Sequence, residues 1–209
     1  GVPFVVQFTL TGYPRPLEAS TIAAEAALAE MRRLAARYGP RAVVWRYDPV
    51  LRSTLTPPAW HRAQAARLAR ALQGVADEVC LSFAQAYRKT ARNLDRAAAR
   101  HGFAWRDPDD AEKAALLTDL SQISNDSSIS GTICAQPALG GTPARCIDLD
   151  RLSAVAGRAL AGRARGNRPG CLCAESRDIG EYDTCPHGCV YCYAVSDRDR
   201  AAARYRAWR

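Results

Sequence analysis

Four short apolar runs, each followed by a helix-length segment, set the tightest limit on what this chain can fold into. They are Phe4–Leu10, Ala42–Tyr47, Glu78–Phe83 and Gly131–Ala135, rich in β-branched and aromatic residues and bounded by turn formers such as Gly12-Tyr13-Pro14 and Asp48-Pro49. Runs of this length and composition read as buried strands. The segments between them carry helical periodicity, from Ser20 or Thr21 to Tyr38, Pro58 to Gly74, Tyr87 to Arg100 and Pro108 to Ser121. Further helices are expected from Asp148 or Asp150 to Ala161 and from Asp197 to Trp208. Strands alternating with helices predict an α/β fold of βα units around a parallel sheet.

Four βα units do not close a barrel, which normally takes eight. The expectation is therefore a partial or permuted TIM-barrel-like sheet, with an open α/β sheet as the alternative. The opening Gly1-Val2-Pro3, without Met, reads as a trimmed start that lacks the first strands. Residues 1–162 form the βα-repeat domain in this reading. Residues 163–209 form a cysteine-rich tail that begins with the polar linker Arg163–Gly170.

An apolar fraction of 48% is enough for a real core. No stretch approaches the roughly 20 apolar residues that span a bilayer, so no membrane partner is expected. The net charge of +8 comes almost entirely from Arg, since Lys occurs only at 89 and 113. The Arg residues are scattered along helices rather than gathered in a stripe, which argues against a nucleic-acid face.

Eight cysteines lie at 80, 134, 146, 171, 173, 185, 189 and 192. Five fall within Cys171–Cys192 at ligand-like intervals, which favours metal ligation over disulfides and a reducing cytoplasm over export. Cys185, Cys189 and Cys192 stand at C-x3-C-x2-C spacing in a loop made compact by Pro186 and Gly188. Short-spaced thiolates suit zinc or an iron–sulfur cluster. Structural zinc usually takes four ligands in two pairs, so three thiolates favour a [4Fe–4S] cubane with one iron open to a small molecule. Gly188 lets the backbone approach inorganic atoms closely, and with Tyr191 it forms the candidate cofactor contact. His187 reads as a turn residue or, alternatively, a ligand or proton donor.

Cys134, Cys146, Cys171 and Cys173 are candidates for a second centre, a second cluster or zinc. Alternatively Cys171 or Cys173 closes the first cluster. Cys80, inside a strand, reads as core, and His61 and His101 as surface helix residues. In parallel α/β folds chemistry sits at the carboxyl ends of the strands. That rule selects Gln7, Thr9, Arg46, Asp48, Ser82, Gln85 and Gln136. Arg46 and Asp48 are the candidate catalytic pair: Arg46 either clamps an anionic group or pairs with Asp48 on the same strand face.

The C-x3-C-x2-C run with Tyr191 before its last cysteine resembles the fingerprint of the radical S-adenosylmethionine enzymes at all four positions. That superfamily carries the motif after its first strand, whereas here it lies near the end of the chain, as in a circularly permuted barrel. No Gly-Gly-Glu-like segment, which the superfamily uses for the methionine amino group, is found. A longer resemblance runs through Phe8–Tyr13, Trp45–Pro49, Ser82-Phe83 with Tyr87–Lys89, Cys146–Asp148 and Arg177–Cys185. These segments look like the bacterial family numbered 1848 among the domains of unknown function. That resemblance implies a C-terminal cysteine cluster similar to the radical enzymes' N-terminal one, and it implies no substrate.

The expected function is thus an iron–sulfur protein of radical S-adenosylmethionine-like type. It would act on an unknown small-molecule or macromolecular substrate and draw electrons from a reductant protein. The alternative is a non-enzymatic iron–sulfur or zinc protein, in which the cysteines carry electrons or fold the tail.

Overall fold

The computed structural model describes residues 2–208. The strands are β1 (Val6–Thr9), β2 (Val43–Val50), β3 (Glu78–Phe83) and β4 (Ser130–Ile133). The helices are α1 (Ala24–Tyr38), α2 (Pro58–Leu72), α3 (Arg88–His101), α4 (Asp110–Asn125), α5 (Leu149–Ala156) and α6 (Arg198–Ala207). All strand pairs are parallel and the order is β1-β2-β3-β4. Each strand is laid beside the one before it, so the winding never reverses as it does in a doubly wound sheet. The sheet is open, and its alternating βα units follow the sequence expectation.

Strand periodicity gives the sheet two unlike faces. Val43, Trp45 and Tyr47 of β2 and Val79, Leu81 and Phe83 of β3 point into one apolar core with Leu28 and Met31 of α1, Leu68 and Leu72 of α2 and Leu116 and Leu120 of α4. Trp45 is fully buried there, and its indole N–H donates to the Leu10 carbonyl at 2.8 Å. The alternate residues face away from these helices. They include Val44 and Cys80, which pack in a small separate cluster with Cys134 and Ala144.

Differences from the expected boundaries have local causes. α1 starts at Ala24 because Thr21 hydrogen-bonds the Glu18 carboxylate at 3.2 Å instead of capping the helix. α5 stops at Ala156, where Gly157 takes a left-handed conformation (φ 64°) that ends the helix, well before Ala161. β2 continues through Asp48-Pro49 to Val50, and its register with β3 slips between Tyr47 and Val50, where Pro49 has no N–H for the ladder.

His61 corrects an expectation. It is fully buried on α2 rather than on the surface, while His101 is exposed. Its Nε2 lies 3.0 Å from the Leu51 carbonyl and its Nδ1 2.9 Å from the Tyr47 hydroxyl. A neutral ring that donates from Nε2 and accepts at Nδ1 satisfies both contacts. Burial lowers its pKa to about 4. Above about pH 6.5 the ring is neutral whether the chain is folded or unfolded. Below that, the unfolded chain takes up a proton that the folded one refuses. Stability is therefore expected to fall as pH drops from about 6.5 to about 4, with a total loss of about 3 kcal/mol. Urea unfolding across that range should show the slope, and His61→Gln should flatten it. Equal slopes in the two proteins would contradict the assignment.

Candidate metal centre

The face of the sheet turned away from the helices carries a polar row. β-Sheet register aligns Thr9 with Arg46, Arg46 with Cys80 and Cys80 with Thr132. Beyond this row a cleft of about 1100 Å³ opens at the carboxyl ends of the strands. The strand-end residues chosen from sequence all line it: Gln7, Thr9, Arg46, Asp48, Ser82, Gln85 and Gln136. So do Cys134, Cys146, Cys171, Cys173, Cys189 and Cys192.

Arg46 and Asp48, two apart on β2, share a face and pair at 3.0 Å from Nε to Oδ2. Ser82 on β3 donates its hydroxyl to the other Asp48 oxygen. Burial works against the Arg46 charge, but the Asp48 carboxylate outweighs it and raises the guanidinium pKa. Nη1 of Arg46 then reaches the Cys146 sulfur at 3.1 Å. The internal pair is thus formed, with the spare donor turned to a cysteine.

Cys80, Cys134 and Cys146 bring their sulfurs within 4.8 Å of one another, and this group could hold a metal ion. Cys80 comes from β3 and Cys134 follows β4, its N–H bonded to the Leu81 carbonyl at 2.8 Å. Cys146 ends a loop that runs back along β4: Ile133 N–H bonds Thr142 O, and Ala144 N–H bonds Ile133 O, each at 2.8 Å. The Cys134–Cys146 sulfur separation is 3.8 Å. Cys134 shares hydrogen bonds with the thiols of Cys146 and Cys80, which lower its pKa, with a further contribution from Arg168. Cys80 is driven the opposite way, because it donates to its neighbours and is buried. Sequence reasoning missed Cys80 as a member, since a strand cysteine reads as core; its parity with Ser82, opposite to Val79 and Leu81, was the available signal.

Cys171 and Cys173 approach from a hairpin. Arg165 N–H bonds Cys173 O at 3.0 Å, and the Cys173 sulfur accepts from Ile147 N–H at 3.4 Å. Arg168 on this hairpin donates to the Cys134 sulfur at 3.3 Å. Gly170 (φ 75°) allows the close approach: a Cβ there would lie 2.9 Å from Pro137 Cδ.

Cys189 and Cys192 also line the cleft, and with Cys185 they are not drawn into so tight a group. Val190, fully buried, anchors their loop among Tyr13, Leu17 and Leu94. Val190 N–H bonds Leu17 O at 3.0 Å and Ser20 N–H bonds His187 O at 2.9 Å. Gly188 (φ 68°) packs against Ala19, and Tyr191 donates its hydroxyl to Glu18, which also accepts from Thr11 at 2.6 Å. Burial, and then the Glu18 charge, push the Cys189 thiol up to about 12. Asp183 orders the far side of the loop: the Ser196 N–H and the Arg200 guanidinium hold its pKa at about 2. His187 is exposed at the rim.

Asp48→Ala should leave Arg46 half-buried without its carboxylate and cost about 2 kcal/mol of stability, with Ser82→Ala costing about 1 kcal/mol. Denaturant unfolding checks both. An Asp48→Ala protein as stable as the parent would show that the pair does not support the site.

A family model described as Domain of unknown function (DUF1848) matches residues 1–194. No curated protein and no solved structure matches the chain. Among the described residues, no helix is long and apolar enough to cross a membrane.

Proposed function

The chain belongs to the DUF1848 family, and we propose that it is an iron–sulfur enzyme of radical S-adenosylmethionine-like type, with Cys185, Cys189 and Cys192 as the ligands of a [4Fe–4S] cluster. One observation carries the reading. Cys189 and Cys192 line the same cleft as the polar strand ends, where parallel α/β folds place their chemistry. The donor set suits the group: three thiols on one short loop, with a half-buried Cys189 whose proton is hard to lose to water but would be displaced by a metal. Bound there, a cubane with one iron free of protein ligands would supply the electron for reductive cleavage of S-adenosylmethionine.

The chain's own residues would do the rest. Glu18 holds the Tyr191 hydroxyl and so fixes the ring that precedes Cys192. Arg46, Asp48 and Ser82 form a fixed polar patch across the cleft floor that orients a substrate by hydrogen bonds. The protonated Arg46 and Arg168 favour a substrate with anionic or electron-rich groups. A reductant protein would deliver electrons at the rim, where Cys185 is exposed.

The compact group of Cys80, Cys134 and Cys146 favours a second reading, in which metal serves structure or electron transfer alone.

Protein purified without oxygen should contain about four iron and four sulfide per chain, lost in Cys189→Ala. Adding S-adenosylmethionine to the reduced protein should shift the cluster's electron paramagnetic resonance spectrum. Iron content unchanged in Cys189→Ala would refute the ligand set. An unshifted spectrum on an intact cluster would remove S-adenosylmethionine and leave the second reading.

A further inference from the structure

We propose that Cys80, Cys134, Cys146 and Cys171 form a mononuclear zinc site of four thiolates, separate from the centre at Cys185–Cys192, that fixes one wall of the cleft. The inference does not depend on iron at the C-terminal loop.

Sulfur spacing argues for a single ion. Zinc–thiolate bonds of about 2.3 Å in a tetrahedron place adjacent sulfurs about 3.8 Å apart. Cys134 and Cys146 are separated by 3.8 Å, and Cys80 lies within 4.8 Å of both. A cubane holds its cysteines on the corners of a larger body and needs them spread further. Three sulfurs on one ion leave a fourth tetrahedral position.

Cys171 is the residue placed to fill it. Its N–H is held by the Arg168 carbonyl at 3.1 Å, while the Arg168 side chain bonds the Cys134 sulfur at 3.3 Å. One residue thereby ties the Cys171 backbone to the existing group. Cys171 also interacts electrostatically with Cys134. Cys173 hydrogen-bonds Cys171 and lies deeper, with its sulfur accepting from Ile147 N–H and only 4% of the residue exposed, so Cys171 is the freer of the two to turn to the ion. Charge is consistent with the assignment. Four thiolates around zinc carry a net negative charge, and Arg46 and Arg168 each point a donor at one of the sulfurs. Zinc is also bound more tightly than ferrous iron by a given donor set.

The four ligands come from β3, the end of β4, the loop returning along it and the Arg163–Ala174 hairpin, whose ends pair through Ala164 and Ala174. An ion there ties the return loop and the hairpin to the paired strands β3 and β4, so binding it contributes directly to folding.

The test is metal analysis of the full chain purified without oxygen. One zinc per chain is expected, and it should persist in Cys189→Ala, where iron is lost. Cys80→Ser and Cys171→Ser should lower zinc at least about fivefold with iron unchanged. X-ray absorption at the zinc edge of the unmutated protein needs no variant to fold: four sulfur neighbours at about 2.3 Å support the site. Oxygen or nitrogen neighbours, a second iron–sulfur cluster in place of zinc, a Cys134–Cys146 disulfide or full zinc in Cys80→Ser would each overturn it. Loss of zinc in Cys173→Ser but not in Cys171→Ser would overturn the fourth ligand.

Discussion

A guanidinium on the face of a parallel sheet is costly unless every donor finds a partner, and the arrangement of this cleft follows from how Arg46 meets that requirement. Its Nε goes to Asp48 on the same strand, and Nη1 goes to the Cys146 sulfur. Asp48 in turn takes the Ser82 hydroxyl from β3. One side chain therefore joins β2, β3 and the loop after β4. The register that sets Arg46 beside Cys80 also brings a strand thiol under that loop. Without the carboxylate, the cation would sit against Cys80 and Cys146 on a polar sheet face with too few acceptors.

The two cysteine sets differ in a way that bears on their chemistry. The group at Cys80, Cys134 and Cys146 is compact, buried or half-buried, and faced by two guanidiniums. The set at Cys185, Cys189 and Cys192 is more open and lies beside the Glu18 carboxylate. Cations beside sulfur stabilise thiolates before any metal arrives. A carboxylate beside sulfur has the opposite effect and favours the protonated thiol. The same ligand type is thus set in two electrostatic environments across one cleft.

Much of this was legible in the sequence. Apolar runs and breakers located all four strands, and the strand-end rule picked seven residues that line the cleft. Strand parity offered the Arg46–Asp48 pair as one of two readings of Arg46, beside an anion clamp, and the pair is formed. Cys80 was not legible as a member of the compact group, because its place there depends on register with Arg46 and on a return loop about 60 residues later, and sequence spacing encodes neither. His61 escaped for a similar reason. Helical periodicity among alanines defines a buried face poorly, and the polar partners that make a buried imidazole tolerable, the Tyr47 hydroxyl and the Leu51 carbonyl, come from another element.

Strand parity also explains how the two walls are positioned relative to each other. Arg46 and Asp48 face the cleft and reach Cys146 and Ser82. Tyr47, between them, faces the opposite way and bonds His61. His61 packs edge-on against Tyr13 at 5.9 Å, and Tyr13 against Tyr191 at 6.0 Å. The Tyr13 hydroxyl also receives the Leu51 N–H and donates to the Pro49 carbonyl, each at 2.8 Å, which fixes the ring to the end of β2. Three consecutive residues of one strand therefore hold both walls: two through the polar face toward the compact cysteines, one through the aromatic stack toward the C-terminal loop. Such close-packed contacts transmit small displacements rather than absorb them.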